Sequence, residues 1–336
     1  MNQQSKIIIT GAAGFLGGRV AKHFVNHFID YEIVATSRRD IRAEELQKAG
    51  CTFISGDLCD PNFCEKLTQN ASIVVHCAAL SSPYGAYEKF YSSNYLATDT
   101  LLKASIKNGV QKFIFISTPS IYFDFTSRFN VKESDPLPTK MVNNYAQTKL
   151  MAEELVLNKN QKGIETIALR PRAIIGAEDT VIFPRVLEAY HQGKLKIIGD
   201  GKNICDFTCV RNVIEAIICA INAPQPAYGQ AYNITDGKAE AFWDALNYAL
   251  TQLKLRPPTK KVPKSVAMFA ASVVELKANL LKQKTEPALT KYGIGILAES
   301  FTLDISKAKQ MLNYQPVMNT YDGINEYIQW HQSQQQ

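Results

Sequence analysis

Residues 6–17 read KIIITGAAGFLG. Three isoleucines in a row, closed by Thr10, make Lys6–Thr10 a short buried strand of the kind found inside a parallel sheet. Gly11, Gly14 and Gly17 follow as GxxGxxG around Phe15 and Leu16, and a helical pattern then runs to about His27. Glycines at this spacing allow a tight turn and let the backbone come close to a pyrophosphate. The phosphates then meet the free N–H groups at the start of the helix. Alone the pattern is weak. Set between a strand and a helix, it reads as a dinucleotide-binding turn.

Outward from this turn, strand and helix patterns alternate. Glu32–Ser37, Thr52–Ser55, Ile73–Cys77, Lys112–Ser117 and Ile164–Leu169 read as strands with helical stretches between them. That alternation predicts an α/β fold, a doubly wound parallel sheet of the Rossmann kind. After Arg170-Pro171 the pattern loosens, and Ala231–Thr235 predicts one strand that returns to the sheet. The expected division is 1–170 plus about 204–236 for the dinucleotide-binding domain. About 171–203 and 237–336 would form a smaller, mostly helical substrate-binding domain.

The composition excludes several classes. With 46% hydrophobic and 20% charged residues, the 336-residue chain is an ordinary globular protein. The net charge is +6, yet Thr251–Lys291 alone carries nine Lys/Arg against two acids. No nucleic-acid-binding motif accompanies that charge, so no nucleic-acid partner is expected. Seven scattered cysteines without a CxxC pair or signal peptide point to reduced thiols in the cytoplasm and to no metal site.

The end of the second strand bears on cofactor choice. An acid there would bind the ribose 2′-OH of NAD; this chain has Ser37, Arg38 and Arg39. Two guanidiniums suit a 2′-phosphate, which favours NADP(H) and leaves NAD(H) open, with Asp40 weighing slightly against. Asp57 and Leu58 are placed to meet the adenine. Asp60, followed by Pro61, reads as a helix N-cap.

Tyr145-Ala-Gln-Thr-Lys149 is a YxxxK. On a helix, residues four apart share a face, so an ammonium beside a phenol favours phenolate. Tyrosine can then exchange a proton with a substrate oxygen. The strand before it ends in Ser117, Thr118 and Ser120, three hydroxyls that compete for a substrate carbonyl.

With GAAGFLG, GDL at 56–58, VVHCAA at 74–79, STPS, YAQTK and LRP at 169–171, the chain resembles the extended short-chain dehydrogenase/reductase family over nearly its whole length. The resemblance implies a triad of Thr118, Tyr145 and Lys149, with Lys149 also holding the nicotinamide ribose. It also implies cofactor contacts at Ala78, Ala79, Pro171, Arg172 and Ala173. FPRVLEAYHQGKLKIIGDGKN, CDFTCVRNV and LDISKAKQMLNYQP are similar to the 3β-hydroxysteroid dehydrogenase and sterol-4α-carboxylate 3-dehydrogenase branch, and to bacterial 2-alkyl-3-oxoalkanoate reductases. The activity this implies is that of a ketone/alcohol oxidoreductase acting on an apolar small molecule. Two alternatives are a nucleotide-sugar epimerase or dehydratase and a non-catalytic NADP-binding protein. Against the first stand Pro119-Ser120 where a dehydratase carries Asp-Glu, and Arg211-Asn212 and Cys205 where sugar enzymes differ.

Finally, Val262, Val266, Phe269, Val273, Leu276 and Leu280 form a stripe at helical spacing, flanked by Lys264, Lys277, Lys282 and Lys284. The plain reading is a core helix of the smaller domain. The alternatives are a lid over an apolar pocket or a peripheral membrane contact. A homodimer stays open, and Trp243 and Trp330 read as packing residues.

Overall fold

The computed structural model describes residues 4–281, 283 and 285–335. Its main sheet has seven strands: β1 (Lys6–Thr10), β2 (Glu32–Ser37), β3 (Thr52–Ser55), β4 (Ala71–His76), β5 (Lys112–Ile116), β6 (Glu165–Pro171) and β7 (Gln230–Ile234). All pair in parallel, in the order β3-β2-β1-β4-β5-β6-β7. The order turns outward on both sides of β1, so a crevice opens at the carboxyl ends of β1 and β4. β7 joins beside β6, as the Ala231–Thr235 pattern predicts.

Helices cover both faces because the strands are apolar on both. On one side Ile7 and Ile9 pack against α1 (Phe15–His27) through Val20, Ala21 and Phe24. On the other, Ile8, Val74, Phe113 and Phe115 pack against α2 (Asn144–Leu157) through Ala152 and Val156. The helix α3 (Val210–Ile221) adds Val213, Ile214, Ile217 and Ile221 to the first side.

The remaining chain builds a cap. A four-stranded sheet takes strands from distant segments, in the order Glu240–Ala241, Ile204–Cys205, Phe301–Leu303, Arg128–Val131. Trp243 is 2% exposed in the cap's apolar cluster, and Trp330 packs at its edge. Two further helices, α4 (Lys264–Leu280) and α5 (Lys291–Ala298), lie against each other.

Here the core-helix reading of the apolar stripe fails. α4 buries Ala267, Ala271 and Ala278, and the small side chains of Ala267 and Ala271 let α5 approach through Ile294. Val266, Phe269, Val273, Leu276 and Leu280 are 51–75% exposed. Val262 precedes the helix and pairs, in Lys261–Val262, with Ile197–Ile198. Lys282 and Lys284 lie outside the described residues. No helix among those described is long and apolar enough to cross a membrane.

Candidate active site

The glycine turn is fixed by contact as much as by conformation. Gly11 holds φ +69°, and a Cβ there would sit 2.8 Å from the backbone of Ala78, just past the end of β4. At Gly17 a Cβ would sit 2.5 Å from the Gly11 carbonyl oxygen. The turn therefore brings the ends of β1 and β4 and the start of α1 together. Gly14 is the N-cap of α1, and neither a side-chain cap nor an acid occupies the first turn. The leading N–H groups are left for an anion.

From this turn a cavity of about 790 Å³ runs into the cap. Gly11, Gly14, Phe15, Leu16, Gly17, Ser37, Arg38, Arg39, Asp57, Leu58, Ala78 and Ala79 line its first part. Thr118, Tyr145, Lys149, Pro171, Arg172 and Ala173 line its middle. The glycine turn, the arginine pair and the YxxxK residues thus meet one space. Arg38 and Arg39 are exposed at its edge and make no ion pair among the described residues. Asp60 caps its helix, accepting from the Asn62 N–H at 2.9 Å.

Asn143 caps α2 by accepting from the Ala146 N–H, which sets Tyr145 in the first turn and Lys149 one turn on. Lys149 is buried. It donates to the Ile116 carbonyl at 2.6 Å and lies 3.9 Å from the centre of the Phe115 ring. Burial lowers its pKa to about 7, against the pull of Glu153. The Tyr145 phenol is pushed up to about 12 by burial, and a hydrogen bond with Thr118 works the other way. The expectation that Lys149 lowers the phenol's pKa is not met: the ammonium turns to a main-chain carbonyl and desolvation dominates the phenol.

The three candidate hydroxyls also separate. Thr118 caps the short helix Pro119–Tyr122, accepting from the Ser120 N–H at 3.2 Å. Its hydroxyl bonds that of Ser120 at 3.0 Å, and Ser120 in turn meets the Tyr292 phenol at 2.8 Å. Ser117 Oγ is buried without a partner among the described residues.

Beside this row, Ala173 is held at φ +44°, a costly conformation for a residue with a Cβ. Thr208 fixes it from both directions. Its hydroxyl accepts from the Arg172 N–H at 3.1 Å and donates to the Arg172 carbonyl, while its own N–H donates to the Ala173 carbonyl.

The far wall was not legible in the sequence. Val181, Ile182, Val186, Leu195, Leu289, Ile294 and Leu297 give it an apolar surface, with Tyr292 of α5 among them. Arg185 and Glu286 pair at 3.1 Å, and Tyr84 donates to Asn279 at 3.0 Å, which ties cap segments to the loop after β4. Arg211 and Asn212 lie elsewhere. The first pairs with Glu326, and the second is buried and bonds Asp236 and the main chain at 317–318. Their identity is a matter of folding and says nothing about substrate.

Comparison with known proteins identifies the family. The model of the NAD dependent epimerase/dehydratase family matches residues 7–235, and the chain belongs to that family. It is an enzyme of the NAD-dependent oxidoreductase class. It is 33% identical to 3beta-hydroxysteroid-dehydrogenase/decarboxylase isoform 2 of Arabidopsis thaliana, over 96% of this chain but 61% of that longer protein. To the 2-alkyl-3-oxoalkanoate reductase of Shewanella oneidensis it is 30% identical, over 95% of this chain and 84% of the other. The solved structure of UDP-glucuronic acid 4-epimerase from Bacillus cereus with NAD superposes with a TM-score of 0.76. That pair is 23% identical and covers 98% of this chain and all of the other, a likeness of fold.

Proposed function

We propose that this chain interconverts a ketone and a secondary alcohol on an apolar substrate, sterol-like or a long-chain β-keto acid, with NADP(H). The observation that carries the reading is the single cavity in which the Tyr145 phenol, hydrogen-bonded to Thr118, stands between a glycine turn and an apolar wall. The turn suits a pyrophosphate because side chains are excluded from it and no acid repels the anion. A dinucleotide held by that turn would supply or accept the hydride through its nicotinamide, beside Tyr145 in the middle of the cavity. Tyr145 exchanges the proton with the substrate oxygen, and Thr118 orients that oxygen by hydrogen bonding. Lys149, held by Ile116 and Phe115 one helix turn from the phenol, would hold the nicotinamide ribose of a bound cofactor. The apolar wall excludes water from the reacting carbon. We assign 1–170 with about 204–236 to the cofactor and about 171–203 with 237–336 to the substrate, except that Arg128–Val131 and Ile204–Cys205 go with the cap, whose sheet they join. We also propose that the enzyme works in the cytoplasm, with the exposed face of α4 against an anionic lipid surface.

The test is Tyr145→Phe. Turnover with β-keto acids or 3-ketosteroids should fall about 10²–10⁴-fold, while the Kd for NADPH stays within about twofold. Activity confined to UDP-sugars in the wild type would replace this reading with the sugar-nucleotide one. For the cofactor, replacing Arg38 and Arg39 with Ala should weaken NADPH and barely touch NADH. Charge-assisted hydrogen bonds contribute roughly 1.5–3 kcal/mol each. Equal wild-type affinities for the two would remove the NADP assignment.

A further inference from the structure

We propose that Arg172 receives a carboxylate of the substrate, so that the site selects 3-oxo and 3-hydroxy acids over neutral ketones and alcohols of equal length. The inference rests on the ketone/alcohol reading and adds the group that would make it specific.

Among the described residues two arginines are buried, Arg170 and Arg172, and they differ in one respect. Arg170 is neutralised: it pairs with Glu153 and also bonds the Tyr122 phenol. Arg172 is 7% exposed and makes no ion pair among the described residues, and its Nε has no hydrogen-bond partner there. A buried cation that makes no ion pair is costly. One side is compensated, since the guanidinium carbon lies 4.5 Å from the centre of the Phe301 ring. Stacking uses the flat face and leaves the N–H edge unspent.

The surroundings show what that edge awaits. Arg172 lines the cavity with Thr118, Ser120, Tyr145 and Tyr292, the groups that would hold a substrate oxygen. Asp206 is near: burial raises its carboxyl to about 6, and the Arg172 charge pulls the other way. That carboxylate, however, accepts from the Leu303 N–H at 2.6 Å and forms no ion pair with Arg172. Cys205 is also near, and burial holds its thiol at about 12, so it brings no negative charge. A guanidinium fork matches a carboxylate with two parallel hydrogen bonds. In a 3-oxo acid the carboxylate stands two bonds from the carbonyl carbon. The Tyr145–Thr118 pair and Arg172 line the same cavity, which gives each end of such a molecule a partner there. The pyrophosphate of the cofactor is provided for at the glycine turn, and the nicotinamide amide carries no charge to satisfy this cation.

The experiment compares oxidation of 3-hydroxydodecanoate and of its methyl ester with NADP⁺, in wild type and Arg172→Gln. Calorimetry with decanoate and with NADP⁺ alone runs beside it. The wild type should prefer acid to ester in kcat/KM by about tenfold or more. The variant should lose that preference, with the acid-to-ester ratio falling about 10- to 100-fold and decanoate binding weakened in step. An unchanged ratio, or no acid preference in the wild type, overturns the proposal. So does a loss of NADP⁺ affinity that accounts for the whole change, since Arg172 would then serve the cofactor. If the wild type oxidises neither compound, the ketone/alcohol reading falls, and the decanoate titrations still decide for or against Arg172. Should Arg172→Gln unfold, Arg172→Lys keeps a charge without the fork. It should lower the ratio by a smaller factor, about 3- to 10-fold, and an unaltered ratio in that variant counts against the proposal.

Discussion

Helices α3 and α4 carry the same kind of signal, an apolar stripe at helical spacing, and meet opposite fates. α3 lies on the main sheet and buries Val213, Ile214, Ile217 and Ile221. α4 turns its alanines inward and its large side chains out, with Phe269 at 72% exposure. The difference lies in what each helix packs against. A sheet face offers a broad apolar surface that accepts isoleucines. α5 offers a narrow one, and the small Ala267 and Ala271 allow it to come close. Periodicity tells which residues share a face; it does not tell which face is covered.

That comparison can be broken at α3. Ile217 is fully buried, so Ile217→Ala should cost about 2–5 kcal/mol of stability, read from denaturant unfolding. A loss under about 1 kcal/mol would mean that α3 is no more firmly seated than α4.

The legible parts of the sequence divide along the same line. β1, β2 and β3 lie where their β-branched runs place them, because short apolar strands between turns have few alternatives. The cavity lining beside the glycine turn was legible because GxxGxxG, Ser37-Arg38-Arg39 and YxxxK are local patterns, each placed by a single strand end or helix start. Tyr292 was not. It reaches Ser120 across 172 residues of sequence, and the packing of α5 in the cap brings it there. The same holds for Arg172. Its position after Leu169–Pro171 could be read, but its missing counter-ion is a property of the assembled fold. Lys149 lines the cavity from α2, and its bond to Ile116 depends on how β5 ends beside that helix.

The smallest effect on folding is expected at α4, and it sharpens the comparison most. Phe269 and Leu276 face solvent and do not line the cavity, so the lid reading of this stripe loses its geometry. Replacing both with Asp should shift stability by no more than about 0.5 kcal/mol per site, as at other exposed positions. Chain-length dependence of kcat/KM for a soluble substrate should also match the wild type. Lipid binding is where these residues would count. Lys260, Lys261 and Lys277 are exposed near or along the stripe, which gives an apolar face with a basic border. A buried aromatic or leucine side chain contributes roughly 1.5–3 kcal/mol. The wild type should therefore pellet with vesicles containing phosphatidylglycerol and bind phosphatidylcholine vesicles more weakly. The Phe269→Asp, Leu276→Asp variant should lose about tenfold or more in partition at an unaltered melt. Light scattering distinguishes the other occupant of such a face. A wild-type dimer that the double variant turns into a monomer, with no vesicle binding by either, would assign the stripe to a second copy of the chain.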